Sequence, residues 1–287
     1  MAGLLPFSIR DLFRLTRFWN LMIVGFTQLA AAACLIPAFF WGDWRLWVLI
    51  FTTAAIAAAG YIINDYYDIK IDLINKPNRV VVGKSITRRY ALLFHSALNF
   101  FAIAMGFLLS WKIGAIHFVS AFLLWLYSNQ LKRQPLVGNL TVALLTGLCV
   151  ELVNIFYGVN NHFITVYAVF AFFMTLVREI VKDMEDWRGD STFGCQTLPI
   201  LWGLRKTKAF VFGVLAVFLL TVLVLNHLFT ELPIYYFVLF LFLPVALFGY
   251  RLQRADTMLD FHRLSALCKI IMILGIGSMG LVGVAGF

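Results

Sequence analysis

Residues 208–228 read KAFVFGVLAVFLLTVLVLNHL, an apolar run whose one charged side chain is Lys208 at its start. An α-helix rises about 1.5 Å per residue, so roughly 20 such residues cross the ~30 Å hydrocarbon core of a bilayer. Residues 136–157 form a second run of this kind. The ~10-residue alternating segments typical of transmembrane strands are not seen in the sequence. The two runs therefore predict transmembrane helices.

The composition of the whole chain supports this prediction. Of the 287 residues, 62% are hydrophobic and 13% are charged, whereas soluble domains have roughly 45–50% apolar and about 25% charged residues. We predict an all-α fold, a polytopic membrane helix bundle with nine transmembrane helices, as a single domain over residues 1–287. The predicted spans cover residues 20–40, 46–64, 91–110, 114–128, 136–158, 162–181, 208–228, 232–250 and 265–286.

The basic residues lie on alternate connections between these spans. Starting with the N-terminus, 21 of the 23 Lys and Arg residues fall on one side, and only Arg45 and Lys112 fall on the other. Because Lys and Arg accumulate in cytoplasmic loops, we predict a cytoplasmic N-terminus in an integral, multi-pass membrane protein. This bias, with attraction to anionic lipids, explains the net charge of +9, so no nucleic-acid partner is predicted.

Two aspartate-rich stretches interrupt the apolar pattern. Residues 64–72 read NDYYDIKID and residues 182–190 read KDMEDWRGD, both with aspartates in the order D-x2-D-x3-D. Asp183 follows Asp65 by 118 residues, and the other two pairs repeat this offset. Each stretch begins at the cytoplasmic end of a predicted span, which predicts two similar halves facing one cavity. The six candidate catalytic and metal-binding residues are Asp65, Asp68, Asp72, Asp183, Asp186 and Asp190.

The spacing of these aspartates suits a divalent cation. Residues i, i+3 and i+7 share one face of a helix, so each motif would present a stripe of carboxylates. Mg²⁺ takes oxygen ligands and usually combines one or two carboxylates with substrate phosphates. Neither stretch has the D-x-[DN]-x-[DN]-G order of an EF-hand. We therefore predict Mg²⁺ as the cofactor, with a phosphorylated ligand between the motifs; the alternative is a set of solvated loop carboxylates.

Basic residues flank both motifs and could neutralise the remaining oxygens of a diphosphate. The candidates from this argument are Lys76, Arg79, Lys132, Arg133, Arg178 and Lys182. Glu151 is a separate case, because it places a carboxylate inside the fifth predicted span. An ionisable residue within the membrane indicates a function by default, so Glu151 could orient an acceptor or accept its proton. A structural hydrogen bond between helices is the alternative.

These motifs resemble those of the UbiA-type intramembrane prenyltransferases. NDYYDIKID matches the N-D-x-x-D-x-x-x-D signature of that family, and KDMEDWRGD is similar to its second aspartate-rich motif. RFWN at residues 17–20 resembles an N-terminal Arg-Pro-x-Asn stretch, with Phe18 in place of the proline. The resemblance implies nine helices around a central cavity, and it adds Asn20 and Asn64 to the candidate substrate-binding residues.

Two longer stretches resemble one branch of the family, the digeranylgeranylglyceryl phosphate synthases. They are REIVKDMEDWRGD with TLPI (178–190 and 197–200) and LYSNQLKRQPLVGN (126–139), which adds Tyr127. The resemblance implies that a prenyl diphosphate held by Mg²⁺ ionises and that a lipophilic acceptor captures the cation. In this branch geranylgeranyl diphosphate and geranylgeranylglyceryl phosphate give an ether lipid. The alternative is an aromatic prenyltransferase of quinone biosynthesis, acting on 4-hydroxybenzoate or dihydroxynaphthoate, because both branches share the aspartate motifs.

Other classes of membrane protein fit less well. The CDP-alcohol phosphotransferases have Gly directly after an Asp, whereas Tyr66 follows Asp65 and Ile69 follows Asp68 here. A membrane transporter also uses intramembrane acids and repeats, but its sites usually lie near the bilayer midplane. The resemblance therefore implies an Mg²⁺-dependent prenyltransferase, surrounded by the lipid bilayer, whose active site opens toward the cytoplasmic side.

Overall fold

The computed structural model describes residues 8–37, 39–75, 77–78, 80–230 and 232–285. Within these ranges the chain is helical apart from short connections, and the one β-type contact is an isolated bridge between Val82 and Ile86. The predicted all-α class is confirmed. The α-helices are α1 (Ile9–Leu15), α2 (Phe18–Leu35), α3 (Trp44–Tyr67), α4 (Ile69–Asn75), α5 (Arg88–Leu109), α6 (Trp111–Asn129), α7 (Val137–Tyr157), α8 (His162–Thr192), α9 (Leu198–Leu225), α10 (Ile234–Phe237), α11 (Leu243–Gln253) and α12 (Met258–Ala285).

Eight helical segments in the described ranges are long and apolar enough to cross a membrane. They are α2, α3, α5, α6, α7, α8, Leu198–Phe229 and Met258–Gly283. A ninth apolar helical stretch, Val238–Gln253, is shorter and covers the later part of the eighth predicted span. The chain is therefore an integral, multi-pass membrane protein. A full set of nine spans and a cytoplasmic N-terminus stay predictions.

Helix boundaries depart from the hydropathy pattern where polar residues continue a helix. The predicted span 162–181 is part of α8, which runs 31 residues to Thr192 and carries the second aspartate motif. Similarly, α9 begins at Leu198, ten residues before the predicted span, and bends at Gly203 with φ 74° and ψ 164°. Hydropathy marks the part of a helix in lipid, whereas hydrogen bonding decides where the helix ends.

The described residues form two compact units. The first holds the residues up to Phe26 and those from Gly42 to Lys132; the second holds Thr27–Trp41 and the residues from Arg133 onward. The first aspartate motif lies in the first unit and the second motif in the second. The single-domain assignment stays a prediction.

In the first unit, the connection after the first motif folds back on the helices. Val81, Val82 and Ile86 are buried and pack in one hydrophobic cluster with Leu15 of α1 and Ile62 of α3. A turn at Gly83, with φ +85°, lets the Gly83 N–H donate to the Ile86 carbonyl at 2.8 Å. Burying an aliphatic side chain contributes about 1.5–3 kcal/mol, so this cluster fixes the connection beside the last turns of α3.

In the second unit, α7 packs closely along α8. A Cβ added at Gly147 would lie 3.0 Å from the Ala168 carbonyl oxygen, so this glycine permits the close approach that small residues give to membrane helices. Side-chain hydrogen bonds join the two helices on both sides of this contact, from Asn139 to Asp183 and from Asn154 to Thr165. The second motif is thus held by a neighbouring helix.

Candidate active site

The first motif lies on two helices rather than one. α3 ends at Tyr67, Asp68 adopts φ −92° and ψ 4°, and α4 begins at Ile69. The predicted stripe on one unbroken helix is therefore wrong for this motif. Aspartate is a weak helix former, and Asp68 lies at the break. Two helical hydrogen bonds remain at this break, since the Asp68 N–H donates to the Asn64 carbonyl at 3.0 Å and the Asp72 N–H donates to the Asp68 carbonyl at 2.8 Å.

Arg17, between α1 and α2, binds the first aspartate of this motif. Its Nη2 lies 3.0 Å from Asp65 Oδ1, and its guanidinium lies 4.7 Å from the centroid of the Tyr61 ring. Asn20 donates to the Tyr61 hydroxyl at 3.5 Å. Partial burial acts to lower the pKa of Arg17, but the charge and hydrogen bond of Asp65 outweigh it and raise the pKa above its usual value. The guanidinium is therefore charged and balances Asp65.

Sequence reasoning missed Arg17, although RFWN contains it. Phe18 replaces the proline of the family pattern, so the resemblance in this stretch predicts only Asn20 as a site residue. The structure gives Arg17 a backbone φ of +52°, which is uncommon for a residue with a side chain. With the backbone in this conformation, the Arg17 side chain contacts Tyr61 and Asp65.

Lys132 forms an ion pair with Asp68, the second aspartate. Lys132 lies in a short 3-10 turn, Leu131–Arg133, after α6, and both side chains are mostly buried, at 10% and 13% exposure. A charge pair shielded from water is screened far less than a surface pair. Arg133 is exposed, and its carbonyl accepts the Gln196 N–H at 2.9 Å.

The second motif differs from the first because its helix is unbroken. Asp183, Asp186 and Asp190 lie within α8, where their spacing places them on one face. Asn139 of α7 is buried and donates its side-chain amide to Asp183 Oδ2 at 2.8 Å. Asn139 was not among the predicted site residues, since its partner lies 44 residues away in sequence.

The two basic residues before the second motif share one carboxylate. Arg178 Nη1 lies 2.7 Å from Glu179 Oε1, and Lys182 Nζ lies 2.9 Å from Glu179 Oε2. Glu179 is buried, with its side chain 9% exposed. Glu179 was also missed, although it stands between the two predicted basic residues. Its double ion pair fixes where both cations lie.

The remaining predicted residues fall in several places. Tyr127 is half-buried in α6 and Asn64 is half-buried in the last turn of α3. Lys76 and Arg79 lie outside the described residues, so their roles stay predictions.

Glu151 lies in α7 and takes part in hydrogen bonds between α7 and α8. Asn154 donates to Glu151 Oε1 at 2.9 Å, and the Thr165 hydroxyl lies 3.4 Å from the same oxygen. Within the described ranges, Glu151 Oε2 is buried without a hydrogen-bond partner. Glu151 lies twelve positions after Asn139 in α7, or roughly 18 Å along the helix. These contacts favour the interhelical alternative for Glu151.

A family model described as the UbiA prenyltransferase family matches residues 21–267. The chain belongs to the UbiA prenyltransferase family. This assignment agrees with both aspartate motifs and with the helical membrane fold, and it confirms the family that NDYYDIKID and KDMEDWRGD resemble.

Curated relatives of this UbiA family member include digeranylgeranylglyceryl phosphate synthases of archaea. The chain is 43% identical over 157 residues to the synthase of Methanobrevibacter smithii, a match that covers 51% of the chain and 54% of the relative. The chain therefore spans about half the length of that relative. It is 33% identical over 261 residues to the synthase of Sulfurisphaera tokodaii, with 87% and 89% covered.

Solved structures share the fold. A structure of digeranylgeranylglyceryl phosphate synthase in membranes superposes with a TM-score of 0.73 and 23% identity, covering 96% of this chain and 99% of the other. A UbiA homologue from Archaeoglobus fulgidus, bound to GPP and Mg²⁺, superposes with a TM-score of 0.66 and 13% identity over 94% and 99% of the chains.

The residues of this UbiA family member suit a metal ion that takes some of its ligands from the protein and the rest from the substrate. Among the described residues, no group of three or more His, Cys, Asp or Glu side chains stands ready to hold a metal ion. The donors that each motif offers are half-buried carboxylates, the hard oxygens that Mg²⁺ prefers. Because Mg²⁺ commonly takes one or two carboxylates, keeps waters and gains the rest from phosphates, the donor set fits it.

Proposed function

We propose that this UbiA family member transfers a geranylgeranyl group from geranylgeranyl diphosphate to geranylgeranylglyceryl phosphate and so forms an ether lipid. The observation that carries the proposal is the repeated pairing of motif aspartates with polar partners inside a membrane fold: Arg17 with Asp65, Lys132 with Asp68, and Asn139 with Asp183. The names of the archaeal relatives support the choice of acceptor.

The motif carboxylates would hold Mg²⁺, which would add positive charge at the diphosphate of the donor. The residues proposed for this role are Asp65, Asp68, Asp72, Asp183, Asp186 and Asp190. The A. fulgidus homologue bound to GPP and Mg²⁺ supports both the metal and the type of donor. A prenyl diphosphate keeps its apolar chain in the membrane and needs charged groups only around its head.

The basic residues would stabilise the diphosphate as it leaves. When the carbon–oxygen bond breaks, both electrons go to the diphosphate oxygen, and negative charge grows there. Lys132, Arg178 and Lys182 supply fixed positive charge in a partly buried setting, where electrostatic stabilisation is stronger than in water. The acceptor hydroxyl then bonds to the allylic carbon, and its proton passes to the diphosphate that has left.

The acceptor carries a phosphate, so it needs a cation of its own. Arg133, next to Lys132, is exposed and is proposed to serve it, since arginine matches phosphate oxygens with two parallel hydrogen bonds. The positive charge on alternate connections supports an active site opening on the cytoplasmic side.

The test is to incubate the purified protein with Mg²⁺ and geranylgeranyl diphosphate. Geranylgeranylglyceryl phosphate, 4-hydroxybenzoate and dihydroxynaphthoate are offered separately, and the products are identified by mass. Formation of the ether lipid alone supports the proposal, whereas a prenylated aromatic ring overturns the acceptor. Asp65→Ala and Asp186→Ala should each abolish turnover in a folded protein, and full activity in both would contradict the proposed metal-binding role.

A further inference from the structure

Glu179 continues the acidic stripe of the second motif by one turn. At about 100° per residue, Glu179, Asp183, Asp186 and Asp190 all leave α8 within an arc of roughly 60°. The three aspartates are half-buried, whereas Glu179 is buried. The chain therefore has a fourth carboxylate on this face, and the D-x2-D-x3-D pattern does not include it.

Arg178 and Lys182 leave the helix to one side of this stripe, roughly 100° and 60° from Glu179. Both nevertheless end at the Glu179 carboxylate, which binds one cation with each oxygen, at 2.7 Å and 2.9 Å. The two long side chains have many rotamers, and this shared partner removes that freedom. Glu179 thus draws both cations toward the face that carries the aspartates.

From this geometry we infer that Glu179 is a positioning residue that holds Arg178 and Lys182 in place to receive the diphosphate. The inference rests on the proposed function. Glu179 acts through the two cations rather than on the substrate. Its negative charge also balances part of their positive charge in this partly buried setting. The structure offers a matched control in Glu185, another α8 carboxylate with a basic partner, His262, at 2.9 Å.

The first test measures binding of inorganic diphosphate, with Mg²⁺ present, by calorimetry on the full chain. Losing one charge-assisted hydrogen bond should weaken binding by about ten-fold or more in Glu179→Gln. The matched Glu185→Gln variant should stay within about two-fold of the wild type. Glu179→Asp keeps the charge but is one carbon shorter, so it should give an intermediate affinity; wild-type affinity in Glu179→Gln overturns the inference.

The second test asks whether Glu179 acts through its two partners. In the Arg178→Gln/Lys182→Gln background, adding Glu179→Gln should change diphosphate affinity by less than about two-fold, because interacting residues are not additive. A further large loss in that background would mean that Glu179 acts directly and would overturn the inference.

The two proposals can fail separately. If the wild type binds diphosphate but forms no prenylated product with any acceptor, the proposed function fails, and the affinities still decide the role of Glu179. If the wild type makes the ether lipid while Glu179→Gln keeps its kcat, its KM and its affinity for diphosphate, the positioning role alone is wrong.

Discussion

Asn139 of α7 donates its side-chain amide to Asp183 Oδ2 of α8 at 2.8 Å, across 44 residues of sequence. A buried amide that binds a carboxylate fixes the direction of its oxygens and removes part of the cost of holding the charge away from water. The second motif therefore depends on a helix that contributes no aspartate to it.

Asn139→Ala should lower turnover by about ten-fold or more, because a hydrogen bond to a charged group contributes roughly 1.5–3 kcal/mol. The measurement is kcat/KM for the prenyl diphosphate. Asn99→Ala is the matched control, since the Asn99 amide contacts His95 of the same helix, α5. Wild-type turnover in Asn139→Ala would show that Asp183 is oriented by something else.

Arg17→Gln should lower the thermal stability of the protein more without Mg²⁺ than with it. Arg17 balances the charge of Asp65 at 3.0 Å, and a bound cation could supply that balance in its place. The measurement is the unfolding temperature with and without Mg²⁺. Arg88→Gln is the control, because Arg88 contacts the Tyr66 ring at 5.2 Å. An equal loss of stability with and without Mg²⁺ would contradict the idea that a bound cation replaces Arg17 in balancing Asp65.

Lys132→Gln should raise the KM for the prenyl diphosphate and lower kcat/KM by about ten-fold or more, as expected when a charge-assisted contact is lost. Lys208→Gln removes another ion pair, the one with Asp256 at 2.9 Å, whose aspartate is 82% exposed. Exposed pairs contribute about 0–1 kcal/mol, so this control should behave like the wild type. The proposed role of Lys132 is wrong if the two variants are indistinguishable.

Glu151→Gln should keep turnover within about two-fold of the wild type, because the amide oxygen still accepts the hydrogen bond from Asn154. Asn154→Ala should instead lower the unfolding temperature, since Asn154 also exchanges hydrogen bonds with the Asn161 backbone. Steady-state kinetics and thermal unfolding on both variants decide the matter. A hundred-fold loss of kcat in Glu151→Gln would restore the proton-acceptor alternative.

Hydropathy located most of the membrane helices but not their internal geometry. The predicted span 114–128 is close to α6, and 136–158 nearly coincides with α7. The predicted span 232–250 is instead built from α10, a π-helical turn at Val238–Phe242, and α11. Mean hydropathy does not depend on which carbonyl accepts the hydrogen bond of each N–H, so it cannot reveal a π-helical turn.

By itself, the sequence determined the helical membrane class, the family and the two matched aspartate motifs. Each of these features depends on residues that are close in the chain, so apolar runs and short motif spacings are enough to predict it. Only the tertiary structure decided the break at Asp68 and the partners of the carboxylates, which are Arg17 for Asp65 and Asn139 for Asp183. These pairs join residues 48 and 44 positions apart. Because helix packing brings them together, no local pattern could reveal them.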